Sequence, residues 1–321
     1  RGQTTPLNGS VTVPGDKSIS HRAVMLAALA EGPSIIRNWL PAGDTLATLD
    51  VVRALGVAIE VDKRSPHSWD LRVEGRGLNG LRKPGAPLNC RHAGTAIRLL
   101  AGILAGQSFP SILDGSEQLR KRPMGRVTEP LRLMGADIKS EEGHAPLAIR
   151  PASLHGIEYT LHVASAQVKS SILLAGLYAA GTTRIFQPGP ARDHTERLLI
   201  AMGTVISAQD GWVTLGNAPP GGRRLLSLDM TVPGDFSSAA FPLVAAAIVP
   251  DSRITVRQVG VNSTRIGLLD ILRAMGADVT ISNQQVTGGE LIADIHVGYT
   301  GLQGTDVSGP TVVRAIDEFP I

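Results

Sequence analysis

The sequence predicts an α/β protein of two domains, built from repeated units of roughly seventy residues with helices packed inside sheets. Three observations carry this. An amphipathic helix that ends in Gly and leads into a short strand occurs four times. A second helix, apolar nearly all round, also occurs four times. Short runs rich in Val, Ile and Thr, bounded by Gly and Pro, lie between them.

The first recurring helix runs from Leu49 to Gly56, from Pro130 to Gly135, from Leu198 to Gly203 and from Leu269 to Gly276. A Gly after the last helical residue supplies the left-handed conformation that stops a helix. The second begins near Ser18, Gly94, Gln167 and Ser237, as in Ala23–Ala30 and Ala239–Ala247. A helix without a polar face must be buried on every side. Ser252–Arg257 and Gly211–Leu215 alternate as half-buried strands do. An ordinary doubly wound α/β fold is the alternative on pattern alone. Val13-Pro14-Gly15-Asp16 and Val232-Pro233-Gly234-Asp235 precede the first and fourth apolar helices, which suggests equivalent positions in two similar domains. A fifth apolar helix is expected to start at Asp317–Ile321, where the chain stops, so the sequence reads as a piece of a longer protein.

Composition narrows the function classes. With 321 residues, 43% hydrophobic, the chain can bury two cores, and with 3% aromatics those cores must be packed from small aliphatic side chains. Cys90 is the single cysteine and reads as a plain buried thiol, in keeping with a reducing compartment. The longest apolar run, Ala239–Val249, contains Pro242 and is too short to cross a bilayer. No leader is visible at the first residues, which open on Arg rather than Met, and a cytoplasmic protein is expected. A net charge of +3 argues against a nucleic-acid partner. The local cluster Arg120-Lys121-Arg122, with Arg126 behind it, suits small anions instead.

The strongest chemical signal is Pro14-Gly15-Asp16-Lys17-Ser18-Ile19-Ser20-His21-Arg22, ahead of an apolar helix. Free backbone N–H groups and the positive end of the helix dipole favour an anion there. Lys17 adds a point charge, Ser18 a hydroxyl and Arg22 a forked donor one turn later. A Ser- or Asp-capped helix with solvated charges is the plainer alternative. Four further segments accompany it: Ala93-Gly94-Thr95-Ala96-Ile97-Arg98, Asp114–Met124 with Arg122-Pro123, Ser165-Ala166-Gln167-Val168-Lys169-Ser170, and Ala191-Arg192-Asp193-His194-Thr195-Glu196. Ile316-Asp317-Glu318-Phe319-Pro320 closes the series. Gly94 allows close approach of a ligand to backbone. His194 beside Asp193 finds no third ligand, so a structural histidine is expected rather than a metal site.

These segments, in this order, resemble the 5-enolpyruvylshikimate-3-phosphate (EPSP) synthase family, and the resemblance spans essentially the whole chain. Ser18 after Lys17, and the absence of Cys from the 114–124 loop, separate the chain from the sister UDP-N-acetylglucosamine enolpyruvyl transferases. Arg91-His92 stands where the family has Gly-Asn, and Ala191 where it has Ser. The resemblance implies the enolpyruvyl-transferase fold, an inside-out α/β barrel in which the chain crosses between domains twice. We place the crossings near Val13 and Val232. The first domain is then residues 14–231, with three complete repeats, and the second is 1–13 plus 232–321, incomplete at its C-terminal end.

The implied reaction transfers the enolpyruvyl group of phosphoenolpyruvate to the 5-hydroxyl of shikimate 3-phosphate, with no metal or cofactor. By the same resemblance Lys17, Ser18, Arg22, Ser165, Ala166, Gln167, Arg192 and Asp317 bind shikimate 3-phosphate. Lys17, Gly94, Thr95, Arg122 and Gln167 bind phosphoenolpyruvate, and Lys17 and Asp317 are catalytic. Glyphosate is expected to compete for the phosphoenolpyruvate site, with Gly94 marking a sensitive enzyme. A monomer acting on two small molecules is expected. The chain as given, short of its C-terminal part, is expected to be inactive alone, and the alternatives are the sister transferase and a non-catalytic phosphate-binding fragment.

Overall fold

The computed structural model describes residues 5–219 and 222–321. It divides into two compact units, Lys17–Met230 and the segments up to Asp16 and from Thr231 onward.

Strand β1 (Asn8–Thr12) precedes the larger unit. That unit begins with α1 (Lys17–Ala28), β2 (Glu31–Trp39), α2 (Gly43–Ala54), β3 (Ile59–Ser65) and β4 (Ser68–Arg76). A second repeat follows: β5 (Leu88–Asn89), α3 (Gly94–Ala105), β6 (Ser111–Asp114), α4 (Glu117–Arg120), α5 (Gly125–Leu133), β7 (Asp137–Glu141) and β8 (His144–Arg150). A third comprises β9 (Glu158–Thr160), α6 (Ala166–Gly176), β10 (Thr183–Phe186), α7 (His194–Ala201), β11 (Ile206–Gln209) and β12 (Trp212–Leu215). Strand β13 (Asp229–Thr231) ends the unit.

Three four-stranded sheets result, ordered β13-β2-β4-β3, β5-β6-β8-β7 and β9-β10-β12-β11. In the second and third, the outer strand runs parallel to its neighbour, and a buried helix makes the crossover that parallel pairing requires. The remaining neighbours pair antiparallel, with β7–β8 and β11–β12 as hairpins. The apolar helices α1 and α3 are buried along almost their whole length, and α6 from Val168 onward. Small residues allow this. A Cβ on Gly102 of α3 would lie 2.2 Å from the backbone oxygen of Ser171 on α6. Trp39 is fully buried, its ring 5.9 Å from that of Trp69, and Trp212 packs 5.2 Å from Phe186.

The smaller unit adds α8 (Phe236–Ile248), β14 (Arg253–Gly260), α9 (Gly267–Ala274), β15 (Asp278–Thr287), β16 (Glu290–Gly298) and α10 (Pro310–Arg314). Its sheet, β1-β14-β16-β15, repeats the same order with β1 as the parallel outer strand. The two Val-Pro-Gly-Asp segments pair with each other: Asp16 N donates to Pro233 O and Asp235 N to Pro14 O, both at 2.8 Å.

The helix-ending glycines Gly56, Gly135, Gly203 and Gly276 all have φ between 87° and 95°, the left-handed stop expected of them. Two expectations are corrected. Helix α8 is not buried on every side: Phe241 is 64% and Ile248 58% exposed, and only one face packs on its sheet. Nor does a helix begin at Asp317. The last helix is the short α10, opened by Pro310, and residues 315–320 form turns. Asp317 and Glu318 are held there by Arg265 and Ser237 rather than by a helix of their own.

Candidate active site

In the larger unit, the N-terminal turns of α1 are fixed by long-range bonds. Trp39 Nε1 donates to Ser20 O at 2.9 Å, Leu40 N to Ser20 Oγ at 3.2 Å, and His21 Nδ1 meets Thr48 Oγ1 at 2.6 Å. Lys17 remains exposed, 3.7 Å from Asp44. Ser18 is half-buried, and its carbonyl accepts from Arg22 Nη1 at 3.0 Å. The Arg22 guanidinium also donates from Nε to Thr195 Oγ1 at 2.8 Å and from Nη2 to Ser170 Oγ at 3.0 Å. Those two hydroxyls are themselves 2.7 Å apart. Arg22 is thereby fastened to α6 and α7 with its charge at the head of α1.

The start of α3 is built around Gly94. A Cβ there would lie 2.8 Å from Arg122 Nη1 and 2.9 Å from Arg98 Nη1, so two guanidinium groups close on bare backbone. Arg98 Nη1 donates to Gln167 Oε1 at 2.8 Å, and Gln167 Nε2 donates to Thr95 Oγ1 at 3.0 Å. Burial, then the nearby charges of Arg126 and Arg122, press the Arg98 guanidinium down to about 10. The Arg122 side chain makes no ion pair among the described residues, in contrast to Arg120 on Asp114 and Lys121 on Glu117. Arg98, Arg122 and Arg126, without a carboxylate partner among the described residues, create a positive field near this helix N-terminus suited to a compact dianion.

Helix α6 is capped by Ser165, whose hydroxyl accepts from Val168 N at 3.5 Å, and Ala166 and Gln167 form its first turn. Arg192 lies half-buried in the segment before α7, and His194 is buried at the start of that helix. The structure thus gathers Thr95, Arg98, Arg122 and Gln167 around Gly94, and ties Arg22 to the neighbouring turns of α6 and α7. Arg91 and His92, the departures from the family pattern, engage Asp50 at 2.6 Å and Ser116 at 2.7 Å. Cys90 is fully buried, and burial followed by the charge of Asp114 pushes its thiol up to about 12.

Asp317 belongs to the smaller unit. Arg265 Nη1 donates to Asp317 Oδ2 at 2.8 Å and Arg265 Nη2 to Ser237 Oγ at 2.9 Å, while Ser237 donates to the buried Glu318 at 2.5 Å. Burial works against the Arg265 charge, but Asp16, Glu318, Asp235 and Asp317 outweigh it and hold the guanidinium above its ordinary value. Asp235 is raised to about 6, first by the partial removal of its carboxylate from water and then by the charge of Asp16.

Sequence reading missed Arg98, Arg265, and the hydroxyls Ser170 and Thr195. Arg98 had a signal: it stands four residues after Gly94, as Arg22 stands four after Ser18, and both fold back onto the carbonyl of that first residue. No group of His, Cys, Asp and Glu among the described residues could hold a metal ion.

The family model for EPSP synthase (3-phosphoshikimate 1-carboxyvinyltransferase) matches residues 2–321. A 3-phosphoshikimate 1-carboxyvinyltransferase of Acidithiobacillus ferrooxidans is 51% identical over 314 residues, 98% of this chain and 71% of that relative. One from Xylella fastidiosa is 51% identical over 320 residues, 99% of this chain and 69% of the relative. The solved structure of EPSP synthase from Acinetobacter baumannii superposes with a TM-score of 0.91 at 43% identity, covering 99% of this chain and 71% of that one. With family signature, sequence and fold in agreement along its length, the chain belongs to the EPSP synthase family.

Proposed function

We infer that the chain transfers the enolpyruvyl group of phosphoenolpyruvate to the 5-hydroxyl of shikimate 3-phosphate, releasing phosphate. The observation that carries this is the closure of the Arg98 and Arg122 guanidiniums on the bare Cα of Gly94 at the head of α3. That cradle fits a phosphate dianion: forked donors, a helix N-terminus and no side chain between them. Arg122, Gly94, Thr95 and Gln167 are assigned to phosphoenolpyruvate. Lys17, Ser18, Arg22, Ser165, Ala166, Gln167 and Arg192 are assigned to shikimate 3-phosphate, with Lys17 serving both.

The chemistry is addition followed by elimination. The 5-hydroxyl oxygen bonds to C2 of phosphoenolpyruvate and loses its proton, while the methylene carbon gains one. The tetrahedral adduct then expels phosphate and gives up a methyl proton. Asp317 is the carboxylate proposed to take the hydroxyl proton. Positive groups fixed in advance favour the adduct without reorganisation at the moment of reaction. The charge balance of the chain supports small anionic substrates, and a cytoplasmic monomer is the form we propose.

The test is phosphate release on mixing the chain with both substrates. Release that requires shikimate 3-phosphate is expected. Release with UDP-N-acetylglucosamine but not with shikimate 3-phosphate would overturn the reading.

A further inference from the structure

The most deeply buried charge of the larger unit, Lys169, is not among the assigned ligands. Lys169 on α6 and Glu196 on α7 form an ion pair at 2.6 Å, their side chains 1% and 6% exposed. Lys169 Nζ also donates to Gln187 Oε1 at 2.8 Å, in the segment between β10 and α7. Removing two charges from water is costly, and a well-packed apolar pair commonly stabilises a fold at least as well. What this pair adds is a fixed contact point: at 2.6 Å, with Lys169 also bonded to Gln187, it ties one place on α6 to one on α7 and so limits the rotation of one helix against the other, which apolar contacts leave looser.

The neighbours in sequence show what that rotation controls. Ser170 follows Lys169, and Thr195 precedes Glu196. These two hydroxyls hold the Arg22 guanidinium at 3.0 and 2.8 Å. At a side-chain radius of ~5 Å, a helix rotation of about 10° moves an atom by roughly 0.9 Å. A shift of that size would stretch the 2.7 Å Ser170–Thr195 contact past the limit of a hydrogen bond. It would also release Arg22 from one of its two hydroxyl anchors.

We propose that Lys169 and Glu196 are positioning residues: their buried ion pair locks α6 against α7 so that Ser170 and Thr195 present Arg22 to the shikimate 3-phosphate anion. The proposal rests on the assignment of Arg22 as a ligand of that substrate, and the experiment separates the two.

Shikimate 3-phosphate and phosphoenolpyruvate are titrated calorimetrically against the parent chain, Arg22→Ala, Glu196→Gln, and the apolar double variant Lys169→Met/Glu196→Leu, with a thermal melt of each. Glu196→Gln should weaken shikimate 3-phosphate binding by roughly tenfold, since misplacement near 1 Å can cost more than that. Phosphoenolpyruvate affinity should fall by less, because Arg122 lies outside the network and only Gln167 on α6 is shared by the two ligands. The double variant leaves no unpaired charge and is expected to melt near the parent, yet to bind shikimate 3-phosphate as weakly as Glu196→Gln. Parental affinity in a double variant of parental stability would overturn the proposal and leave the pair a stability device. Should the double variant not fold, Gln187→Met removes one support of Lys169 from a half-buried site and is read in the same way. If Arg22→Ala binds shikimate 3-phosphate like the parent, the ligand assignment itself has failed.

Discussion

A methyl group at residue 94 tests the proposed phosphate cradle most directly. The Cβ of Gly94→Ala would sit 2.8 Å from Arg122 Nη1 and 2.9 Å from Arg98 Nη1. Comfortable contact begins at roughly 3.5 Å, so each guanidinium must retreat by roughly 0.6–0.7 Å. Arg98 is braced by Gln167 at 2.8 Å, so the exposed Arg122 gives way more. Displacing a phosphate ligand by that distance should weaken phosphoenolpyruvate binding about tenfold, roughly 1.4 kcal/mol. Folding should move the other way. Gly94 lies at the start of α3, and Ala in a helix is favoured over Gly by roughly 0.5–1 kcal/mol. The expected signature is therefore lower phosphoenolpyruvate affinity with an unchanged or higher melting temperature. Calorimetry with each substrate separately, and a thermal melt, measure all three quantities. Glyphosate inhibition should weaken as well. Phosphoenolpyruvate affinity within about twofold of the parent, or an equal loss for shikimate 3-phosphate, would refute the cradle.

Arg122→Ala should cost roughly 2–5 kcal/mol in phosphoenolpyruvate binding and leave shikimate 3-phosphate binding nearly unchanged in the same titrations. Cys90, with its thiol pushed up to about 12, should resist alkylation at pH 8 until the fold opens; labelling of the native chain at the rate of a free thiol would contradict its burial. Asp235 titrates at about 6 in the fold against an ordinary value of 3.8, so its contribution to stability is complete below that lower value and is lost as pH rises through about 6. Asp235→Asn keeps an acceptor for Ser238 N and removes the charge. Its stability relative to the parent, from denaturant titrations, should climb between about pH 4 and pH 6. A difference that stays flat over that interval would show that Asp235 is not the group responsible.

Much of the fold was legible because local chemistry agreed with tertiary packing. Gly56, Gly135, Gly203 and Gly276 stop helices in each of four repeats, and the all-apolar sequences of α1 and α3 do lie buried. The composition of α8 is equally apolar, but composition cannot say whether a neighbour covers each face, and Phe241 and Ile248 stand exposed. The Asp317–Ile321 segment reads as a helix start because the repeat spacing from Ser237 places the next apolar helix there. Its partners, Arg265 and Ser237, are 52 and 81 residues away in sequence and carry no local signal. The cradle at Gly94 was half legible. Gly94, Thr95, Arg98 and Arg122 all fall within recognisable segments, but Arg98 was given no role there, its signal being only the four-residue offset it shares with Arg22. Lys169 in an apolar helix and Glu196 in an amphipathic one gave no hint that they meet.

All three tryptophans, Trp39, Trp69 and Trp212, lie in the Lys17–Met230 unit, and Tyr299 is the one Trp or Tyr side chain of the segment from Thr231 onward. The two parts of the molecule are therefore unequal as optical reporters. Indole emission will follow the larger unit and remain blind to the smaller, whereas far-ultraviolet dichroism sums both. A denaturation curve recorded by emission alone would look like one transition even if the smaller unit melted first. Divergence between the two signals, or a new emission change after a Trp is placed at Tyr299, would resolve two unfolding events in one chain.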